Sequence, residues 1–338
     1  MEVITYSDLL RHVVSYSQRV YSELNTDDAE AISVYLDTRL KLIWEFYPWP
    51  DLVRVEKRYY RPLYAAATTY AAGDEVYYPT EEKYYQALKS TQGNAPTLQT
   101  HWAESKQTYS PDTWVTGTAY AVGDTVEYPP DGLYYACHTA HTAGANLASN
   151  WGQIIEFDKY VAWKQSGENE ISDVIEVWNT NPRTDKKAEP QNFFQSENGV
   201  QVINGPNIVH IEYRQQVPSL LYTTWTEGVS YGVGQVIRFP VSGATFGLYK
   251  ATSLHTASGS GGGINTPVAS GAPWALIQIP RDFRSFLAHG AAADLLLADE
   301  REQLGGVQNS LGDQALRELL DRLERQEKQT KQMNVVNR

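Results

Sequence analysis

One aromatic phrase is written three times in this chain. Tyr70-Ala-Ala-Gly73-Asp74-Glu-Val76 recurs as Tyr120-Ala-Val-Gly123-Asp124-Thr-Val126, and more loosely as Tyr231-Gly-Val-Gly234-Gln235-Val-Ile237. Each copy continues to a second tyrosine (Tyr85, Tyr135, Tyr249) and then a tryptophan (Trp102, Trp151, Trp274), and an aromatic stands six residues before each first tyrosine (Tyr64, Trp114, Trp225). An internal repeat constrains the fold before any other signal. The first two copies are 50 residues apart and the last two 111. Uneven spacing excludes a solenoid and predicts small modules set into a host domain.

The 338 residues leave room for several domains. The 28 basic and 40 acidic residues give a net charge of −12, which argues against a surface that coats nucleic acid. A single cysteine, Cys137, excludes a disulfide framework, so modules this small must be held by packing of the 23 tyrosines and nine tryptophans. The first residues lack the basic and apolar runs of a signal peptide, and no apolar stretch is long enough to span a membrane. The expectation is a soluble product made in a cytoplasm, with no membrane partner.

Helices are expected at both ends. Residues 5–24 carry an apolar stripe behind a Thr5 cap, and a second helix begins at Asp27 with Glu30 placed for a capping-box-like contact and stops before Pro48. Leu52 to Arg61 alternates as a strand. A stripe of Phe283, Phe286, Leu287, Ala291 and Leu295 runs up to Gly305-Gly306, expected to end or hinge the helix; Leu316, Leu319, Leu320 and Leu323 mark another helix. The domains read as a helical bundle frame of 1–60 and 278–330, β modules at 61–106, 110–153 and 221–277, a central β domain at 154–220, and a disordered tail at 331–338. Ser258 to Gly263 reads as a flexible tract in module 3. The fold class is α+β, multidomain.

Chemistry-bearing motifs are sparse. Cys137-His138-Thr-Ala-His141 has metal-ligand residue types but no second pair, and module 1 has Ala87-Leu88-Lys89-Ser90-Thr91 there. Asp74 and Asp124 follow a glycine in a tight turn, and Gln235 takes their place in the third copy, which suits turn chemistry better than acid catalysis. No nucleophile elbow, zinc-protease or phosphate-loop motif occurs. The expectation is no enzyme, no metal and no cofactor. The nine aromatics of the repeat, Tyr64, Tyr85, Trp102, Trp114, Tyr135, Trp151, Trp225, Tyr249 and Trp274, are candidate glycan or partner contacts, with core packing the competing use of the three late tryptophans.

The phrase aromatic–x5–Tyr-x-x-Gly-Asp-x-Val, then Tyr-Tyr-x-Ala, then Trp resembles the small chitin-binding modules of carbohydrate-binding families 5 and 12. Residues 64–102 and 114–151 carry it, through Tyr84-Tyr85-Gln-Ala87 and Tyr134-Tyr135-Ala-Cys137; 225–274 departs by losing the Asp and widening the loops. The frame, about 1–60, 154–220 and 278–330, resembles the head-to-tail adaptor (neck or connector) proteins of tailed bacteriophages. That likeness rests on Trp44-x-x-x-Pro-Trp-Pro50, an Asn-Pro-Arg turn, His210-Ile-Glu-Tyr-Arg-Gln-Gln-Val-Pro218 and the C-terminal Ala/Leu helix pair. It implies a structural virion protein. Self-association into a ring, commonly of twelve, would sit below the portal protein, extend the channel for genomic DNA, and meet a downstream neck or tail protein. Leu316, Leu319, Leu320 and Leu323 are then candidates for portal docking, Tyr16, Tyr35 and Arg39 for contacts between subunits, and the modules for outward decoration. The alternative is a glycan- or receptor-binding tail protein that adheres through its aromatic modules.

Overall fold

The chain is described from a computed structural model covering residues 2–165, 169–242, 245–257, 266–268 and 272–336. Among the described residues it is α+β, with four α-helices and many short strands in small sheets. The backbone divides into two compact units, Met1–Asp51 with Val217–Arg338, and Leu52–Gln216. The Ser258–Gly263 tract lies outside the described residues.

In the first unit, α1 spans Tyr6–Tyr16, α2 Thr26–Phe46, α3 Arg284–Ala298 and α4 Glu302–Val336. Thr5 caps α1 by accepting the Asp8 N–H at 3.1 Å. The helix is shorter than the 5–24 stripe suggests. Gln18 takes a left-handed conformation (φ 59°), and the turn releases Arg19 to bridge Asp28 and Asp299. The α2 cap is Asn25, which accepts the Asp28 N–H at 2.8 Å; it replaces the expected contact from Glu30. α3 is apolar on most of its surface and packs against each of the other three helices.

Gly305 and Gly306 neither end nor hinge a helix. α4 runs through both, because at Gly305 a Cβ would lie 3.0 Å from Leu297 Cγ and 3.2 Å from the Ala293 carbonyl of α3. The missing side chain lets two helices approach closely. Helical backbone then continues to Val336, where composition predicts a disordered tail from 331; residues 337–338 lie outside the described chain. Buried Asp37 on α2 accepts the Leu220 N–H at 2.7 Å and so pins the returning chain.

In the second unit, the strand Val53–Tyr59 pairs along its whole length with Ile208–Arg214, which also pairs with Asp173–Trp178. Residues 52–60 therefore belong to the central β domain and not to the helical frame. A second sheet orders Tyr160–Ala162, Gly199–Val202 and Phe193–Ser196. Val161, Val200, Val209, Ile211 and Tyr213 are fully buried between them. Strict alternation along Ile208–Arg214 gives the strand one dry face, as its sequence pattern demands.

Candidate functional site: an aromatic ladder built three times

The three copies of the phrase fold alike. In each, three antiparallel strands make the sheet, extended in modules 2 and 3 by a short parallel strand (Asp112–Thr113 and Thr223–Thr224), and a two-stranded ribbon accompanies it: Thr69–Tyr70 with Thr91–Gln92, Ala119–Tyr120 with His141–Thr142, and Ser230–Tyr231 with His255–Thr256. The registers coincide. Val76 opposes Tyr85, Val126 opposes Tyr135 and Ile237 opposes Tyr249; Ala87, Cys137 and Ala251 oppose Trp102, Trp151 and Trp274.

The turn explains the glycine and the residue after it. Gly73, Gly123 and Gly234 have φ of 93°, 94° and 89°, a backbone state that an L side chain resists. Asp74 Oδ2 accepts the Ala71 N–H at 2.7 Å and Asp124 Oδ2 the Ala121 N–H at 2.8 Å. Gln235 Oε1 accepts the Gly232 N–H at 2.7 Å. The longer amide does the carboxylate's work, so these residues close a turn. The first tyrosine of each phrase ties the lead segment down: the hydroxyls of Tyr70, Tyr120 and Tyr231 accept the N–H of Ala65, Val115 and Thr226 at 2.8, 2.9 and 2.8 Å.

Each sheet has two faces with different aromatic sets. On one, the late tryptophan meets the first tyrosine edge-on: Tyr70–Trp102 at 5.3 Å, Tyr120–Trp151 at 5.1 Å, Tyr231–Trp274 at 5.2 Å. Beside it runs a ladder of perpendicular rings. Tyr64, Tyr78 and Tyr85 step at 5.7 and 6.3 Å, Trp114, Tyr128 and Tyr135 at 5.3 and 6.2 Å, Trp225, Phe239 and Tyr249 at 5.2 and 6.4 Å. Edge-to-face geometry is the favourable arrangement for ring quadrupoles.

This geometry divides the nine candidate contacts. Trp102, Trp151 and Trp274 are core, at 1%, 7% and 8% exposure, and Tyr85 and Tyr249 are also buried. Trp102 Nε1 donates to the Asn94 carbonyl at 3.0 Å, and Trp151 Nε1 to His141 Nε2 at 3.0 Å. Tyr64, Trp114, Tyr135 and Trp225 are half-buried and can offer a ring edge or face. Tyr135 donates its hydroxyl to Asp131 at 2.8 Å; burial and that carboxylate push the phenol up to about 12. The middle rungs Tyr78, Tyr128 and Phe239 are missing from the sequence reading, although each stands two residues after the Val or Ile of the phrase.

The opposite face of each sheet docks onto something else in the same unit. Tyr77 and Tyr84 join the central core, with Tyr84 stacked on Phe157 at 4.6 Å and donating to the Asn207 carbonyl at 2.6 Å. Module 2 turns Tyr134, Ala136 and Ile154 toward Leu88 and Tyr109 beside module 1. Gly152 permits that junction, since a Cβ there would lie 2.6 Å from both Leu88 Cβ and the Leu88 carbonyl. Gln86 Oε1, itself 1% exposed, accepts the Ile155 N–H at 3.0 Å across the same junction. Module 3 turns Phe246 and Leu248 inward, Phe246 meeting Tyr6 of α1 at 5.8 Å. Each module is therefore packed into its own unit through this face.

The Cys-His cluster is occupied locally. Burial pushes the Cys137 thiol up, and its Sγ–H donates to the Thr139 carbonyl at 3.2 Å. His141 Nε2 receives the Trp151 indole. Among the described residues no group of three or more His, Cys, Asp or Glu is placed to hold a metal ion, and no helix is long and apolar enough to cross a membrane.

Of the docking candidates on α4, Leu319 is 6% exposed and Leu316, Leu320 and Leu323 are half-buried, so all four are used in part inside the helical unit. Leu319 floors an open groove of about 810 Å³, edged by Arg281, Arg284, Arg322 and Arg325 with Glu2, Asp282 and Glu318. Tyr16 stacks on His289 at 4.1 Å, and Arg39 is paired with Asp294 at 2.6 Å; both have partners within the unit. No protein-family model matches the chain, and no curated protein matches it.

Proposed function

We propose that the chain is a non-enzymatic structural protein of a tailed-phage virion: a head-to-tail adaptor that forms a ring below the portal, extends the DNA channel and joins the next neck or tail component. The observation that carries this reading over an adhesive one is the two-faced use of every module sheet. One face closes around the late tryptophan and the other packs on the frame or on a neighbouring module. Modules held this way stiffen a subunit. A sugar-capture module instead keeps a flat aromatic face in water.

The helical unit suits side-by-side assembly, with α3 enclosed and α1, α2 and α4 disposed around it. A net charge of −12 suits a channel through which DNA slides, because rows of fixed lysine and arginine would grip its phosphates. The Leu319 groove, rimmed by four arginines, is where an acidic portal segment would dock. The test is native mass spectrometry of the purified chain together with microscopy of the particle. A closed ring, commonly twelve-membered in the adaptors it resembles, located at the neck is expected. Monomers alone, open filaments, or location at a fibre tip would overturn the reading.

One observation favours a second reading, glycan adhesion by the assembled particle. The ladder rings Trp114 and Trp225 are only half-buried, so part of each ring stays open to stack on a sugar, although their Nε1 atoms are buried. Retention of assembled rings on chitin or host polysaccharide, abolished by Trp114→Ala with Tyr135→Ala, would move the function to adhesion. Trp102 and Trp151 are unsuitable for that test because they are core.

A further inference from the structure

Two rows of apolar side chains in the helical unit are left uncovered. α2 buries Ile32, Leu36, Leu40 and Ile43, but Val34, Leu42 and Phe46 are 49%, 56% and 60% exposed. With Thr38 they fall four residues apart, a stripe turned away from the core and roughly 18 Å long at 1.5 Å per residue. On α4, Leu304, Val307 and Leu311 are 37%, 56% and 41% exposed at i, i+3 and i+7. They lie about a third of a turn from the Gly305–Gly312 face that meets α3. Single exposed apolar residues are ordinary, whereas continuous rows mark contact surfaces.

The ends of the rows identify the occupant. Asp27 and Glu30 continue the α2 row toward its N-terminus, and Glu318, Arg322 and Arg325 continue the α4 row toward its C-terminus. Asp27 stands 19 residues before Phe46, and Arg322 stands 18 residues after Leu304, so the two rows match in length. Laid antiparallel, Phe46 against Leu304, they bring Glu30 and Asp27 alongside Arg322, with Arg325 beyond it and Glu318 one turn before it. The α2 row does not suit itself: two α2 rows side by side in parallel oppose their carboxylates, and antiparallel they set carboxylates against Phe46. Arg322 already holds Asp282 at 3.0 Å in a half-exposed pair, and a guanidinium has donors to spare for a second carboxylate.

We infer that the α2 row of one copy packs antiparallel on the α4 row of the next, so that each subunit offers two different faces to two neighbours. Such a heterologous contact closes into a ring when its rotation permits. The inference rests on the ring reading above and adds the surfaces that make it.

The experiment uses the full chain with Cys137→Ala, the residue already present at this position in the other modules (Ala87, Ala251). Leu42→Cys with Val307→Cys in one chain should give, on mild oxidation, a ladder of covalent oligomers ending at the ring. A mixture of the two single variants should give dimers only, and Leu42→Cys alone should give none. Leu42→Glu should lose the ring, and Val307→Lys supplied in trans should restore pairwise association. A ring that forms without 42–307 linkage, a Leu42→Cys protein that links to itself, or a Leu42→Glu protein that still forms rings overturns the inference and leaves the adaptor reading standing. A parent chain that is monomeric at every concentration overturns both.

Discussion

Trp102→Ala separates core from contact more sharply than any other substitution. The indole is 1% exposed, edge-on to Tyr70 at 5.3 Å and Tyr64 at 6.0 Å, with Nε1 bonded to the Asn94 carbonyl. Truncating a buried tryptophan costs about 3–5 kcal/mol. Within that total, the hydrogen bond is worth about 1 kcal/mol and each ring pair about 0.5–1.5 kcal/mol. A segment as short as 61–106 supplies only about 3–5 kcal/mol from its own core, so the loss is comparable to everything the module contributes for itself. The readout should be local, because a chain with two units need not unfold in one step. The Gly73 and Ala87 amides, bonded to the Ala87 and Asp74 carbonyls at 2.8 Å, report on the phrase turn directly. Their hydrogen exchange should accelerate by roughly 10² or more at about 1.4 kcal/mol per decade, with Trp102→Phe in between. Exchange within tenfold of the parent, in a chain that still folds, would refute the placement of Trp102 in the core.

Gly152→Ala should destabilise the junction of modules 1 and 2 by about 1–3 kcal/mol, seen as a lower urea midpoint. Leu88→Ala should not rescue it, because the clash is with the Leu88 backbone and Cβ. Gln235→Asp should leave module 3 intact, while Gln235→Ala should cost about 0.5–1.5 kcal/mol through the lost turn bond, measured by exchange at Gly234. Burial alone would raise the Glu56 carboxyl, but hydrogen bonds from Asn169, Tyr213 and Arg58 hold it below its ordinary 4.5. A depressed carboxylate stabilises fully above its unfolded value and loses that effect as pH falls through the folded one. Glu56→Gln should therefore melt below the parent at pH 7, and the gap should close as the pH drops below about 4.5. A gap that does not depend on pH would contradict the ionic role.

Much of the three-fold construction was legible in the letters. Glycine followed by Asp or Gln is a turn signal with a mechanism, and the tryptophan spacing reflects a strand pairing that recurs with the same partners. Which ring faced where was not legible. Tyr84 and Tyr85 are adjacent, and a strand places neighbours on opposite faces, so a run with aromatics on both sides has no alternation to read. The same ambiguity hid the middle rungs Tyr78, Tyr128 and Phe239. At Gly305 the sequence offered two meanings of glycine, a helix stop and a close approach, and only the facing Leu297 and Ala293 carbonyl decide between them. Leu52 to Arg61 was readable as a strand, yet its partner lies some 150 residues away at Ile208–Arg214, a distance that local pattern does not encode.

A sheet that packs against side chains on both of its faces is not a portable part. Excised from this chain, module 1 would carry Tyr77 and Tyr84 into water. Module 2 would expose Tyr134 and Ile154, and module 3 Phe246 and Leu248. Moving any of them into another host would require transplanting the receiving surface as well, so a domain swap made at the linkers should yield insoluble protein. By the same logic, a duplicated copy could persist in this lineage only where an apolar landing site already lay within reach. The landing faces differ accordingly, with Tyr84 in module 1, Tyr134 in module 2 and Leu248 in module 3.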